Sequence, residues 1–329
     1  MRHNKNMTSS SRPRARDPSA QAPARTVALV TTPADPQSAP LSKSHARPAR
    51  ALIGWLAPQI AQGMIAGPTA QPPFAPGIVT RTARAIAAVA ARTPHAKVGD
   101  VISDPSPELG AYIAELQAQP FYAPFKAEGW QVRIADLRYV RALQPVVHAD
   151  HGAGSQRVVR PDDPVALARI TLPQSISKEL LATVPTADGR GWILTCRSPQ
   201  LRIRGPNSAD RHDNGLRTKV FGIETEMTNS LVQVVRWRGV YVLRDGYHRA
   251  YGLLSRGVTR IPVLYNELPD HQPPLLAAGL FDPSVYGGDR APLLPDYLDD
   301  AVSAAIEVRR TQKTFVIQVQ VTELDTPIL

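Results

Sequence analysis

Five consecutive residues hold the densest concentration of potential chemistry in this chain: Asp245-Gly246-Tyr247-His248-Arg249. They follow a β-branched run and precede Ala250, Leu253 and Leu254 on one helical face, so the spacing predicts a turn from strand into helix. Such a turn presents backbone N–H groups and the positive end of a helix dipole, which together favour an anion. A glycine there permits close approach of the backbone or a positive φ. His248 and Arg249 add side-chain donors, and a guanidinium can grip two phosphate oxygens at once. The same five residues equally suit a capped helix start with a solvated arginine, and residue type alone leaves both readings open.

Other groupings carry weaker signals. His148-Ala149-Asp150-His151 offers two imidazoles and a carboxylate, but in a Gly-rich loop without a cysteine partner it reads as a solvated turn, and no metal site is expected. Gly152-Ala153-Gly154-Ser155 lacks the Gly-Lys-Ser/Thr ending of a phosphate loop and reads as flexible linker. Cys196 is the single cysteine, which excludes an internal disulfide framework and any CxxC pair; in an apolar strand it is expected buried and inert. Phosphoryl transfer would need a carboxylate base near the acceptor hydroxyl, and Asp136, Glu224 and Glu226 are candidates by position. Residues 197–219 form a basic stretch, with Arg197, Arg202, Arg204, Arg211, Arg217 and Lys219 against Asp210 and Asp213. It reads as a loop, either solvated or closing over an acidic ligand.

The elements that must position these groups follow from composition and periodicity. The chain has 329 residues, 43% apolar, 20% charged, with 32 prolines and a net charge of +10. Nine of its Lys and Arg residues, against Asp17 and Asp35, fall within residues 1–50, so the basic character belongs to a tail. That tail has no apolar period and is expected to be disordered and dispensable for folding. No apolar run approaches the roughly 18–20 residues of a membrane span, and the N-terminus lacks the h-region of a secretory signal. A cytoplasmic, non-membrane protein is expected, with an Ala/Arg/Pro bias typical of a GC-rich bacterial genome. Helices are predicted over Ala51–Gly67, Ile78–Arg92 and about Pro107–Gln119. Gln131–Val147 reads as strand, break, strand, and Val165–Leu172 as β, with a short helix at Ser175–Leu181 and a strand at Gly191–Cys196. Leu231–Trp237 and Val240–Leu243 predict a hairpin closed by Arg238-Gly239, followed by a helix through Arg256 that Gly257 terminates. Ile261–Tyr265 is the next strand, starting late or near an edge because of Pro262. Residues 268–295 read as Pro-rich loop, Asp296–Arg309 as a helix and Thr314–Val321 as a half-buried strand. No internal repeat is present.

The block from Gly239 to Ala250, Gly-Val-Tyr-Val-Leu-Arg-Asp-Gly-Tyr-His-Arg-Ala, runs on to Arg-Gly-Val-Thr-Arg-Ile-Pro-Val-Leu at 256–264. Over about residues 228–266 it resembles the signature of the ParB/sulfiredoxin-like superfamily. The resemblance implies a small α/β (α+β) mixed-sheet domain over 126–268 whose motif turn, Asp245 to Arg249, holds nucleotide phosphates. Gly246, His248 and Arg249 are the positions that carry over. ATP or CTP with Mg²⁺ is the implied ligand, and phosphoryl transfer or NTP hydrolysis the chemistry such a site can serve. Tyr247 stands where sulfiredoxins place their catalytic cysteine, which argues against sulfinic-acid repair. Asp245 fits the D-G-H-H-R spelling of free-amino-acid kinases, from which Tyr247 departs. Chromosome-partitioning members carry a helix-turn-helix domain downstream, and none is visible here. The expected organisation is a basic tail (1–50), a helical lead-in (51–125), the motif domain (126–268) and a helix–strand appendage (269–329). The alternative function is a non-catalytic DNA- or protein-binding module using the tail and the basic loop; oligomeric state is left open.

Overall fold

A computed structural model describes residues 46–96, 99–150, 162–174, 182–186, 191–196, 201–213, 216–227, 229–275, 277–309 and 313–318. The chain enters on β1 (Ala46–Ala51), turns at Ile53–Trp55 and forms α1 (Pro58–Ala66) and α2 (Pro76–Ala90). A short β2 (Ile102–Ser103), α3 (Gly110–Gln117) and α4 (Ala123–Ala127) lead to β3 (Gln131–Asp136), β4 (Arg141–Ala142) and β5 (Val146–His148). Then come α5 (Pro164–Thr171), β6 (Ala182–Pro185), β7 (Gly191–Cys196) and the long β8 (Leu201–Asp213) and β9 (Leu216–Met227). The motif lies in β10 (Gln233–Trp237), β11 (Val240–Asp245), α6 (Tyr247–Leu254) and β12 (Arg260–Glu267). Last are α7 (Pro283–Gly287), β13 (Ala304–Arg309) and β14 (Lys313–Gln318).

The architecture is α/β with mixed sheets. A six-stranded sheet runs β2-β3-β12-β10-β11-β4, and three further sheets are ordered β13-β1-β5, β14-β7-β6 and β8-β9. The hairpin forms as predicted: Trp237 pairs with Val240, and both turn residues are left-handed, Arg238 at φ 50° and Gly239 at φ 76°. This is the twist-compatible turn, and it would ordinarily ask for Asn or Gly at the first position. Arg238 is held there by stacking on the Trp237 ring at 4.5 Å and by donating from Nε to the Asp270 carbonyl at 3.1 Å.

Pro262 sits in a strand flanked on both sides, not at an edge. The Leu264 N–H donates to Val232 on the β10 side, so the position two residues earlier faces the same way. The β10 register begins only at Leu264, and the N–H that Pro262 lacks would have met no strand. Four other expectations are corrected. Val165–Leu172 is not β but the helix α5: Asp163 caps it by accepting from the Ala166 N–H at 2.8 Å, Pro164 occupies the first turn, and Leu167, Ala168 and Thr171 are buried at helical spacing. Asp296–Arg309 is not a helix; a 3-10 turn at Leu294–Leu298 gives way to β13, whose Ala304 and Ile306 are buried while Ala305 and Glu307 are exposed. Alanine-rich composition masked that two-residue period. The basic stretch is not a loop but most of the β8–β9 ribbon. Helix α1 is shorter than predicted, because Ala51 closes a strand and Pro58 is admissible only in a first turn. Residues 1–45, the Gly152–Ser155 linker, the Ser175–Leu181 helix and residues 319–321 of the last strand lie outside the described residues.

One apolar cluster joins Leu52, Leu109 and Leu116 to Val132, Val234, Leu243 and Ile261, and these to Tyr286, Leu294 and Tyr297. Lead-in, motif region and C-terminal segment thus share a core. A smaller cluster of Ala49, Ala51, Ile53, Ala61, Ala85, Ala304 and Ile306 lies at β1 and β13. The boundary drawn at residue 50 falls inside β1, the central strand of β13-β1-β5. Deleting residues 1–50 therefore removes five of the six residues of that strand, and a fall in melting temperature of more than about 10 °C is expected. A change of only a degree or two would show that the three-stranded sheet adds nothing to stability.

Candidate functional site

Strand β11 ends at Asp245 and α6 begins at Tyr247, with Gly246 between them at φ 91°, ψ 19°. A Cβ at this position would stand 2.7 Å from Val232 Cγ2 and 2.8 Å from its Cα. Both the left-handed backbone and the approach of the neighbouring chain demand glycine. The Gly246 carbonyl accepts from the N–H groups of Arg249 at 3.1 Å and Ala250 at 3.0 Å, which starts the helix. Asp245 supplies a carboxylate at the same turn: Oδ1 accepts from the Gly246 N–H at 2.6 Å, and Oδ2 from the Ser230 hydroxyl at 3.4 Å.

The three following side chains diverge into different parts of the molecule. Tyr247 is buried; its hydroxyl donates to the Leu243 carbonyl and accepts from the Leu143 N–H at 2.8 Å. Burial pushes this phenol far above its ordinary range, so it stays protonated and is no acid–base group at neutral pH. His248 reaches β5. Its Nδ1 accepts from the His148 backbone N–H at 3.1 Å, and the two imidazoles lie 4.6 Å apart between centroids at 34°. Because that donor is a backbone amide, Nδ1 is unprotonated and the ring proton sits on Nε2.

Arg249 does not project from the turn. It runs under the helix to the C-terminal end of α5, where Nη1 donates to the carbonyls of Ile170 at 3.0 Å and Thr171 at 3.4 Å, and Nη2 donates to Ser230 Oγ at 2.7 Å. Desolvation lowers its pKa and the Asp245 carboxylate opposes that shift. A cation here satisfies carbonyls that the last turn of α5 leaves without intrahelical donors, and it faces the negative end of that helix dipole. The guanidinium is half-buried and engaged by protein acceptors, so its observed role is to position α5 against α6.

The remaining candidates are scattered. Asp136 is buried at the end of β3, where its carboxylate accepts from Arg138 Nη2 at 2.6 Å, Nε at 3.0 Å and the Arg138 N–H at 3.1 Å. Strands β12 and β10 separate β3 from β11, so Asp136 is about 14 Å from the motif strand. Glu224 and Glu226 lie on β9, in a ribbon that shares no strand with the motif sheet. No carboxylate among these three stands as a base beside the turn. Asp150 pairs with Arg47 at 2.5 Å, while His151 lies outside the described residues. Among the described residues no group of three His, Cys, Asp or Glu could hold a metal ion. Cys196 closes β7 opposite Lys313, and the burial expected of its thiol lies outside the described side chains. His148, expected in a solvated turn, instead closes β5; it lies 100 residues upstream of His248, and only the fold brings the two together.

Comparison with known proteins finds no family model, no curated protein and no solved structure that matches this chain. Among the described residues no helix is long and apolar enough to cross a membrane.

Two substitutions test the turn. Arg249→Ala leaves the Ile170 carbonyl and Ser230 Oγ without the donor that the guanidinium supplies and is expected to cost about 2–4 kcal/mol in urea unfolding. A loss below about 1 kcal/mol would return Arg249 to the surface. Gly246→Ala forces a methyl against Val232 in a left-handed backbone and should cost about 1–3 kcal/mol; an unchanged midpoint would contradict the close approach.

Proposed function

We propose that the chain binds the phosphates of a nucleotide at the start of α6. The observation that carries this reading is the turn itself: Gly246, left-handed and pressed against Val232, fixes the point where α6 starts and where the amides of its first turn gather. The first amides of that helix have no intrahelical acceptor and add to the attraction for an anion. Asp245 at the same turn opposes a second negative charge, and a divalent cation between carboxylate and phosphate removes the conflict, so binding should require Mg²⁺. Arg249 serves by holding α5 and α6 together. None of Asp136, Glu224 and Glu226 stands beside the turn, and the Asp245 carboxylate there is engaged by the Gly246 amide, so the reading is one of binding. The resemblance to the ParB/sulfiredoxin-like block points to the same ligand class, ATP or CTP.

A second reading, a DNA- or protein-binding module, rests on the β8–β9 ribbon, a shape that a DNA major groove admits. The sequence of its two strands holds five cations (Arg202, Arg204, Arg211, Arg217 and Lys219) and four carboxylates (Asp210, Asp213, Glu224 and Glu226), so the ribbon is close to neutral. That balance makes the nucleotide reading the stronger one.

A thermal-shift screen against ATP, ADP, CTP and GTP with Mg²⁺ identifies the ligand, and calorimetry of Asp245→Asn in the presence of Mg²⁺ then measures what the carboxylate contributes through the cation. The expected loss is about ten- to a hundredfold in affinity, with Mg²⁺ removal weakening the wild type. Equal affinities for wild type and variant would remove Asp245 from the site, and silence across the whole screen would reject nucleotide binding.

A further inference from the structure

We infer that two copies of this chain associate through the open edge of β13, joining two three-stranded sheets into one of six. In the order β13-β1-β5, strand β13 is hydrogen-bonded on one side only. The Ala149 N–H donates to the Pro48 carbonyl at 2.9 Å, so residue 48 of β1 faces β5 and residues 47, 49 and 51 face β13. Their register partners are Val308, Ile306 and Ala304, whose backbone groups are used within the sheet. The backbone groups of Ala305, Glu307 and Arg309 therefore point outward, and among the described residues no strand meets them. Neither a bulge nor a proline interrupts this edge, two common devices that discourage pairing.

The charges on the edge select its partner. Glu307 and Arg309 are both exposed and, among the described residues, in no ion pair. They are two residues apart, hence on one face of the sheet. When a second copy pairs antiparallel with the dyad at Val308, each Glu307 lies opposite the other copy's Arg309, and all four residues are ones whose backbone groups point outward. Shifting the dyad to Glu307 puts glutamate against glutamate, and shifting it to Arg309 puts arginine against arginine. Among the registers in hydrogen-bond phase, the one at Val308 alone sets each Glu307 opposite an Arg309. The dyad of an antiparallel pair is normal to the sheet, so it brings the two copies of α1 to the same face. Helix α1 packs on β13, carries no charged residue and leaves Ile60 53% exposed, which gives the joined sheet an apolar cover.

Sedimentation velocity of the full chain over a concentration series tests this with charge-swapped variants. Wild type is expected to dimerise. Glu307→Arg alone and Arg309→Glu alone each create two like-charge pairs and should weaken the dimer tenfold or more, whereas the double variant restores opposite charges and should return to within about threefold of wild type. Glu307→Pro removes an outward N–H that the protomer does not use; it should yield a monomer with an unchanged circular dichroism spectrum. A wild type that stays monomeric up to its solubility limit would overturn the inference. So would a dimer indifferent to both single reversals, which would place the interface elsewhere.

Discussion

The backbone of Gly246 lies so close to Val232 that no side chain fits between them, and this approach fixes the centre of the molecule. It sets the angle at which β11 turns into α6, and from that angle three successive side chains reach three separate segments. Tyr247 holds the link between β4 and β5 through Leu143, His248 holds β5 through the His148 amide, and Arg249 holds the end of α5. Each contact is made to a backbone group, so each depends on where the partner chain runs rather than on which residue occupies it. A five-residue motif thus acts as a junction of the fold as well as a candidate binding turn.

The two roles are compatible because they use different atoms. Scaffold contacts use Nδ1 of His248, the Tyr247 hydroxyl and the guanidinium of Arg249. Ligand binding as proposed uses the first amides of α6. A rigid junction is a suitable place for such a site, since donors already locked in position lose little entropy when an anion arrives. The same arrangement explains why Asp245 calls for a cation: its carboxylate is part of the junction and cannot swing away without releasing the Gly246 amide.

Much of the motif region was legible in the sequence because its signals are local. Arg238-Gly239 between β-branched runs, Gly246 before an amphipathic octet and Gly257 after it each act within a few residues, and hairpin, helix and strand follow. What failed depended on partners far away. Val165, Ile170 and Thr171 favour strand, yet Asp163-Pro164 starts a helix whose end is then capped by Arg249, 78 or more residues on. Ala304 and Ala305 favour helix, yet β1 draws them into a sheet from more than 250 residues upstream. At the site, Gly246 was legible as a backbone requirement, while the direction of Arg249 was not. Residue type says that a guanidinium seeks acceptors; only the packing of α5 against α6 decides that these are carbonyls of the protein.

Native-state hydrogen exchange of the Leu143 and His148 amides tests the junction most directly. Both amides donate to motif side chains, one to the Tyr247 hydroxyl and the other to His248 Nδ1. If the motif ties these segments together, both amides should exchange only through global unfolding, with the same free energy as the central strand residues Val263 and Leu264. Exchange of either amide through local opening, at a free energy several kcal/mol below that of the central strands, would show that the fold stands without the junction.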